Sequence, residues 1–232
     1  MPCRFDLEKV WVMARTIKKY RSAAVRFPPG AEDAPGGACT VAGVDEAGVG
    51  PWAGPVVAAA VYFVTAVPDG IADSKVLPAG RRELLYEAIM ATGQVGIGIA
   101  DVERIERDNV LAASHWAMKV AVGKLPKLPD LVLIDGLNAP DLGCPCRAVV
   151  GGDGRFVSIA AASIIAKVTR DRLMSRIAIL HPGYGFERHK GYGTEEHRRA
   201  LERLGVASCH RRTFKPVKAI LDRYDMQENR ER

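Results

Sequence analysis

From position 40 onward, apolar runs alternate with amphipathic stretches, a pattern that predicts an α/β fold. The segment TVAGVDE (40–46), the β-branched run Pro55–Val64 and the glycine-spaced run Gln94–Asp101 predict three strands. Because only a few residues join the first two strands, we expect them to be antiparallel neighbours. An amphipathic helix over 102–122 follows, and then a fully buried strand over Asp130–Asp135.

The second half of the chain continues this alternation. CRAVV (146–150) predicts a further short strand, and Ser158–Leu180 predicts a long helix. Two more helices are predicted over Thr194–Leu204 and Lys215–Tyr224. The predicted fold class is therefore α/β, with a mixed central sheet in the order β-β-β-α-β-α-β, flanking helices and a small helical C-terminal extension.

The first 38 residues differ from the rest of the chain. Leu7–Tyr20 predicts a short helix, and the following stretch FPPGAEDAPGG is typical of a linker or flexible arm. We therefore divide the chain into an N-terminal extension (1–38), a main body (39–180) and a helical C-terminal region (181–232).

Charge and composition narrow the function classes. The chain has 33 Lys and Arg against 27 Asp and Glu, a formal charge of +6 that favours a polyanionic partner. No apolar stretch reaches the roughly 18 residues of a membrane span, and charges occur throughout the first twenty residues, unlike a signal peptide. Five scattered cysteines suit a reducing compartment, so we expect a cytoplasmic protein without a membrane partner.

Acidic residues stand where two buried strands are predicted to end. Asp45 and Glu46 end the first strand, and Asp135 ends LVLID. Strand ends collect ligands in α/β sheets, and carboxylates that converge there either share a proton or hold cations. Hard oxygen ligands without clustered His or Cys favour Mg²⁺ or Mn²⁺, which indicates phosphodiester chemistry in a basic protein. For Asp135 alone, a plain turn before Gly136 is an equally good interpretation.

A glycine-rich stretch, AGVGPWAGP (47–55), follows the first two acids. Gly48, Gly50 and Gly54 allow backbone N–H and C=O groups to approach a phosphate or sugar closely. The stretch lacks the Lys and Ser/Thr of a P-loop, and it joins strand to strand where a dinucleotide-binding turn joins strand to helix. A nucleotide-cofactor site is therefore disfavoured.

Six segments resemble bacterial ribonuclease HII, the type 2 ribonuclease H, in order and spacing. They are GVDEAGVGPWAGPVVAAAV, ADSKVL, LIDG, GGDGRFVSIAAASIIAKVTRDRLM, HPGYGFERHKGYGTEEH and HRRTFKPV, and they lie within residues 39–222. The resemblance implies a ribonuclease H-like fold with a catalytic main body and a substrate-binding C-terminal region. It also implies that two Mg²⁺ or Mn²⁺ ions are bound by four catalytic carboxylates, Asp45, Glu46, Asp135 and Asp153.

The implied activity is that of a metal-dependent endoribonuclease. It would hydrolyse the RNA strand of RNA/DNA hybrids and cut on the 5′ side of ribonucleotides embedded in duplex DNA. The two-metal mechanism would leave 3′-hydroxyl and 5′-phosphate ends. We expect the enzyme to act as a monomer.

The fourth carboxylate is assigned by the resemblance alone. Helical spacing places Asp171 on the apolar face of the long predicted helix, so the residues by themselves favour Asp171 over Asp153. The resemblance favours Asp153, and Asp171 then becomes a buried structural acid paired with Arg170 or Lys167.

The resemblance also assigns substrate contacts. The backbone of Gly48-Val49-Gly50 would read the ribose 2′-hydroxyl, and Lys75 would hold a phosphate. The ring of Tyr192 would stack on the following deoxyribose, with Tyr184 as the alternative ring. Most relatives carry Gly-Arg-Gly where this chain has Val49, so a phosphate contact from that arginine is absent here.

Other functions remain open at this stage. A non-catalytic hybrid-binding protein would explain the charge, a phosphate-binding metabolic enzyme would explain the glycine-rich stretch, and the type 3 ribonuclease H is a related enzyme. The histidines His181, His189 and His197 are expected at loop and cap positions. Basic residues expected to contact the duplex are Arg188, Lys190, Arg198, Arg199, Arg211 and Arg212.

Overall fold

A computed structural model of the chain describes residues 40–64 and 66–231. The N-terminal extension (1–38) and the helix predicted within it lie outside these residues. Five strands form one sheet in the order β3-β2-β1-β4-β5. Their bounds are β1 Val41–Ala47, β2 Val56–Phe63, β3 Gly93–Ala100, β4 Leu131–Asp135 and β5 Cys146–Val149.

The sheet is mixed, as the sequence predicts. Strand β1 pairs antiparallel with β2, and β2 pairs antiparallel with β3. On its other side β1 pairs parallel with β4, and β4 pairs parallel with β5. The C-terminal ends of β1 and β4 therefore meet at the same edge of the sheet.

Helices cover both faces of the sheet. Alternate residues of β2 point to opposite faces, so that Ala58 and Ala60 join one apolar cluster while Ala59 and Val61 join the other. The helix Val110–Gly123 packs in the first cluster, and the helices Ala79–Thr92 and Val157–Leu180 pack in the second. The helix bounds are α1 Ala79–Thr92, α2 Val102–Asp108, α3 Val110–Gly123, α4 Val157–Leu180, α5 Phe186–His189, α6 Glu195–Leu204 and α7 Lys215–Glu231.

The predicted fold class is confirmed, but the element order differs in three places. Helix α1 lies between β2 and β3, and its pattern is weak because it buries only Leu85 and Ile89. The single helix predicted over 102–122 is broken at Asn109, which has φ 69° and accepts hydrogen bonds from the backbone of Leu111 and Ala112. Strand β5 precedes the long helix α4, as the segment CRAVV predicts, whereas the condensed order β-β-β-α-β-α-β placed a last strand after that helix.

Glycine in β1 brings the long helix directly onto the sheet. A Cβ atom built on Gly43 would lie 2.2 Å from the backbone nitrogen of Ile159, a separation that no real side chain could adopt. The first turn of α4 therefore rests against the centre of β1, two residues before Asp45. Farther along α4, Met174 packs with Ala53, Phe186 and Leu201 in a third cluster that the C-terminal region shares. None of the described helices is both long and apolar enough to cross a membrane.

Candidate active site

Three carboxylates converge where β1 and β4 end. Asp45 belongs to β1 and Asp135 to β4, and Asp153 lies in a short 3₁₀ turn, Gly152–Gly154, just before α4. One oxygen from each of these three side chains lies within 4.8 Å of the other two. The backbone N–H of Gly152 donates to Oδ1 of Asp135 at 2.7 Å, which ties the turn to the end of β4.

The concentration of negative charge disfavours ionisation of these acids. Burial, followed by the charges of Glu46 and Asp135, raises the pKa of Asp45 well above its usual value. Burial and the charge of Asp135 raise the pKa of Glu46 to about 7, although Lys75 opposes the shift. The pKa of Asp135 is also raised, chiefly by burial and then by the charge of Asp153. A bound cation would relieve this repulsion.

The donor set fits a hard divalent cation. Mg²⁺ takes oxygen ligands at about 2.1 Å, so two ligands of one ion stand up to about 4.2 Å apart, close to the spacing found here. Glu46 lies outside the group of three mutually close oxygens, but its Oε2 is buried and has no hydrogen-bond partner within the described residues. A buried carboxylate oxygen that lacks a hydrogen-bond partner could instead coordinate a cation bound by the neighbouring carboxylates. Asp45, Asp135 and Asp153 could thus hold an ion, and Glu46 could complete its ligands.

Lys75 reaches this cluster from the loop before α1. Its Nζ lies 3.0 Å from Oδ2 of Asp153, while 74% of its side chain remains exposed. The hydrogen bond to Asp153 is the main reason that the pKa of Lys75 is raised. The loop is held by Ser74, whose hydroxyl lies 2.7 Å from that of Ser163 in α4. The ammonium group is therefore beside the carboxylates and open to solvent, where a phosphate could also meet it.

Asp171, the alternative fourth acid, is not part of the cluster. It lies more than two turns beyond the start of α4 and pairs with Lys167. The Nζ of Lys167 is 2.9 Å from Oδ1 of Asp171. Its side chain is 21% exposed, so it is a half-buried member of an ion pair rather than a buried one. The geometry thus groups Asp153, not Asp171, with Asp45 and Asp135.

The glycines after β1 have different structural roles. Gly48 has φ 101°, and a Cβ there would lie 2.1 Å from Nε of Arg170. Gly54 has φ 82°, and its Cβ would lie 2.2 Å from the sulfur of Met174. By contrast, a Cβ on Gly50 would meet nothing within 4 Å, and Val49 beside it is 37% exposed. The packing of the fold requires Gly48 and Gly54, whereas only Gly50 borders open space.

This difference leads to a test at Gly50. We expect Gly50→Ala to leave the free energy of unfolding within about 0.5 kcal/mol of the parent, because the added methyl group meets no atom of the protein. If a ribose approaches this backbone, as the resemblance implies, we also expect kcat/KM to fall by about tenfold or more, because the added methyl group would stand in its way. Steady-state cleavage kinetics and urea denaturation measure the two quantities. Gly80→Ala, at an equally open position in α1, is the control; equal activity of both variants would exclude a ligand at Gly50.

The two candidate tyrosines occupy different environments. Tyr184 is buried, stacks on Phe186 with ring centroids 5.2 Å apart, and donates from its hydroxyl to the carbonyl of Gly205 at 2.8 Å. Tyr192 is 45% exposed, and its ring centroid lies 5.8 Å from the guanidinium carbon of Arg170. Only Tyr192 presents a ring that a sugar could reach, which favours it as the stacking residue.

The basic residues of the C-terminal region are less available than the sequence predicts. Arg211 is fully buried rather than at the surface, and Arg170 in α4 is 1% exposed. Several of the others are engaged in ion pairs with acids on α5 and α6: Arg188 with Glu187 and Glu196, Arg198 with Glu195 and Glu202, and Arg199 with Glu195. HRRTF and EEHRRALER show charge but not the direction of each side chain, so a buried arginine cannot be told from an exposed one in these segments.

The expected loop and cap histidines include core residues. His197 is fully buried in α6, and His210, which the sequence analysis did not single out, is 1% exposed. Their Nε2 atoms lie 3.1 Å apart, and Nδ1 of His197 lies 2.9 Å from the carbonyl oxygen of Tyr192. Because that Nδ1 must donate, Nε2 of His197 is the acceptor and His210 the donor. His189 stacks on His197, with ring centroids 4.6 Å apart.

Comparison with known proteins agrees with this geometry. The model of the family described as ribonuclease HII matches residues 42–217. The chain belongs to the ribonuclease HII family. A ribonuclease HII of Nitrobacter winogradskyi is 54% identical over 189 residues, which cover 81% of this chain and 73% of that protein.

Solved structures of the ribonuclease HII family share the fold. A chain of the PCNA:RNase HII complex from Archaeoglobus fulgidus aligns with a TM-score of 0.64 and 26% identity, over 75% of this chain and 95% of that chain. Bst-RNase HIII in complex with Mn²⁺ aligns with a TM-score of 0.58 over 78% of this chain and 69% of that chain. Its 21% identity supports a common fold only. Among these relatives, the high identity to ribonuclease HII sequences assigns the chain to type 2.

Proposed function

We propose that this protein is an endoribonuclease that hydrolyses the RNA strand of RNA/DNA hybrids and cuts 5′ of ribonucleotides embedded in duplex DNA. The observation that carries the proposal is the convergence of Asp45, Asp135 and Asp153 within 4.8 Å in a member of the ribonuclease HII family. A binding protein without catalysis gives no reason to bury these repelling acids together.

Two divalent cations, Mg²⁺ or Mn²⁺, would supply an activated water for attack on phosphorus and stabilise the departing 3′ oxygen. Asp45, Glu46, Asp135 and Asp153 would hold them, since hard carboxylate oxygens favour this class of ion. The hydrogen bond from Gly152 fixes the direction of the Asp135 carboxylate. The expected products carry 3′-hydroxyl and 5′-phosphate ends.

Three features beside the carboxylates would select the substrate. The open backbone at Gly50 would approach the ribose 2′-hydroxyl, the group that distinguishes RNA from DNA. The exposed ring of Tyr192 would stack on the next sugar. Lys75 would contact a phosphate, since its ammonium group is adjacent to Asp153 and accessible. Residues 181–232 would thus form a substrate-binding region on the catalytic core (39–180), in a monomeric cytoplasmic enzyme.

The test is cleavage of two labelled duplexes of the same sequence, one with a single ribonucleotide in DNA and one with an all-RNA strand. We expect both to be cut in the presence of Mg²⁺ or Mn²⁺, with the cut in the first mapping to the 5′ side of the ribonucleotide. EDTA should remove all cleavage. A protein that binds either duplex in Mg²⁺ but never cuts it would be the non-catalytic alternative.

The assignment of the fourth carboxylate has its own test. We expect Asp153→Asn to reduce cleavage by at least about a hundredfold, because it removes a charge from the cation site. Asp171→Asn should change cleavage by less than about threefold, since it breaks only a half-buried pair with Lys167. Steady-state kinetics at saturating Mg²⁺ measure both variants. Loss of cleavage in Asp171→Asn alone would reverse the assignment.

A further inference from the structure

Two arginines with fully buried side chains, Arg170 and Arg211, lie beneath the loop of residues 48–55. Arg211 donates from Nε to the carbonyl of Gly54 at 2.9 Å and from Nη1 to that of Val49 at 2.8 Å. Its Nη2 donates to the carbonyl of Gly48 at 2.6 Å. Arg170 donates to the carbonyls of Pro55, Ala53 and Lys190, at 3.0, 3.2 and 3.0 Å.

Neither arginine forms a salt bridge with a carboxylate within the part of the chain that the structure describes. Burying charged groups without an opposite charge costs several kcal/mol, and apolar side chains could fill the same volume without that cost. Burial and the charge of Arg170 lower the pKa of Arg211 to about 9, which shows how unfavourable the arrangement is for the charge. Apart from the bond from Arg170 to Lys190, the hydrogen bonds of these two guanidinium groups go to backbone carbonyls of this one loop, so the shape of the loop is what these side chains determine.

The direction of the carbonyls determines the direction of the neighbouring N–H groups. In a trans peptide the C=O of one residue and the N–H of the next point to opposite sides, and the described chain contains no cis peptide. Because Arg211 draws the carbonyls of Gly48 and Val49 inward, the N–H groups of Val49 and Gly50 point away from it. No backbone hydrogen bond among the described residues uses either of these two N–H groups. They have no hydrogen-bond partner among the described residues, and they flank the position where a Cβ on Gly50 would meet nothing within 4 Å.

We propose that Arg211, supported by Arg170, is a positioning residue that determines ribonucleotide selectivity by orienting the N–H groups of Val49 and Gly50 toward the ribose 2′-oxygen. The inference rests on the proposed function, since it needs a ribonucleotide substrate. Arg170 adds a second constraint because it joins the loop to the carbonyl of Lys190, two residues from Tyr192. The same guanidinium therefore fixes the spacing between the loop and the stacking ring.

The test compares binding of two duplexes that differ by one hydroxyl group. The full-length protein is titrated, with Ca²⁺ replacing Mg²⁺, with an all-DNA duplex and with the same duplex carrying one ribonucleotide, and the ratio of the two Kd values is the selectivity. Arg211→Lys and Arg170→Lys keep the charge but lose the planar fork that holds several carbonyls. We expect each to lower the selectivity by at least fivefold and to leave the Kd for all-DNA unchanged. Arg172→Lys is the control, because Arg172 is exposed on the same helix and contacts Glu83, Glu87 and the ring of Tyr86 rather than the loop.

Selectivity equal to the parent in folded Arg211→Lys would overturn the proposal. If the parent itself does not distinguish the duplexes, the proposed function fails instead, so the two failures are separate results. Should the lysine variants not fold, NMR spectra of the parent protein labelled with ¹⁵N at arginine test the proposal instead. The Nε–H signal of Arg211 should shift on adding the ribonucleotide duplex and not on adding the all-DNA duplex. Identical responses to both would contradict the proposal.

Discussion

Asn in place of Asp45 is expected to reduce cleavage about a thousandfold or more and, at the same time, to make the protein more stable. The loss of activity follows from removing a central carboxylate of the cation site, worth about 4 kcal/mol in the transition state. The gain in stability follows because Asp45 is buried beside Glu46 and Asp135, and its pKa is raised well above the ordinary value. An amide of the same shape removes this repulsion, and we expect a gain of about 1–2 kcal/mol.

Two measurements on the same variant check this prediction. Single-turnover cleavage of a duplex with one ribonucleotide gives the rate, and thermal unfolding in EDTA at pH 7 gives the stability. Asp69→Asn, in an exposed turn, is the control and should change neither. A variant that is inactive but less stable than the parent would show that Asp45 holds the fold together, and the cation-site interpretation of its burial would fail.

Acid is expected to destabilise the protein through His197 and His210. The pKa of each ring is lowered from 6.5 to about 4, and burial is the largest cause. A group with a lowered pKa in the folded state binds protons more readily when unfolded, so its stabilising contribution is complete above pH 6.5 and is lost as the pH falls toward 4. One such ring accounts for about 3 kcal/mol at pH 4.

Urea denaturation in EDTA at a series of pH values from 7 to 4 measures this effect. We expect His210→Gln to flatten the decline in stability below pH 6.5, because it removes one of the two rings with a lowered pKa. Glu46 acts in the opposite direction, because its pKa is raised to about 7 and its contribution is lost as the pH rises. The prediction therefore concerns the difference in the free energy of unfolding between His210→Gln and the parent at each pH. Parallel curves for His210→Gln and the parent would mean that the buried pair does not titrate in this range.

The sheet could be predicted from the sequence because each strand has a strong local signal. The runs around Val44, Ala59 and Ile134 are apolar enough to be buried on both faces, and short or glycine-rich connections define their ends. Helix α1 was missed because only Leu85 and Ile89 are buried while Leu84 and Met90 are exposed, so its apolar residues do not mark a single face. The break at Asn109 was missed because a positive φ at a single residue leaves no mark on hydrophobic periodicity.

The candidate site was only partly predictable. Asp45 and Asp135 could be placed together because strand ends meet at a sheet edge, whereas Asp153 lies in a short turn whose position depends on tertiary packing. From the residues alone Asp171 was the better choice, and only the resemblance favoured Asp153. The burial of Arg211 could not be foreseen, because the carbonyls that accept its hydrogen bonds are more than 150 residues away in sequence.

Helix α4 connects the two halves of the site and fixes how far apart they stand. Asp45 interacts with Ser163 on this helix, while Lys167 and Arg170 lie within 6 Å of the Tyr192 ring. An α-helix rises about 1.5 Å and turns about 100° per residue, so these positions are separated by roughly 6–10 Å along the axis. That is the size of one nucleotide step on an extended strand. Inserting or deleting one residue between Ser163 and Lys167 would rotate one half away from the other, so the register of a single helix sets the spacing between the carboxylates and the Tyr192 ring.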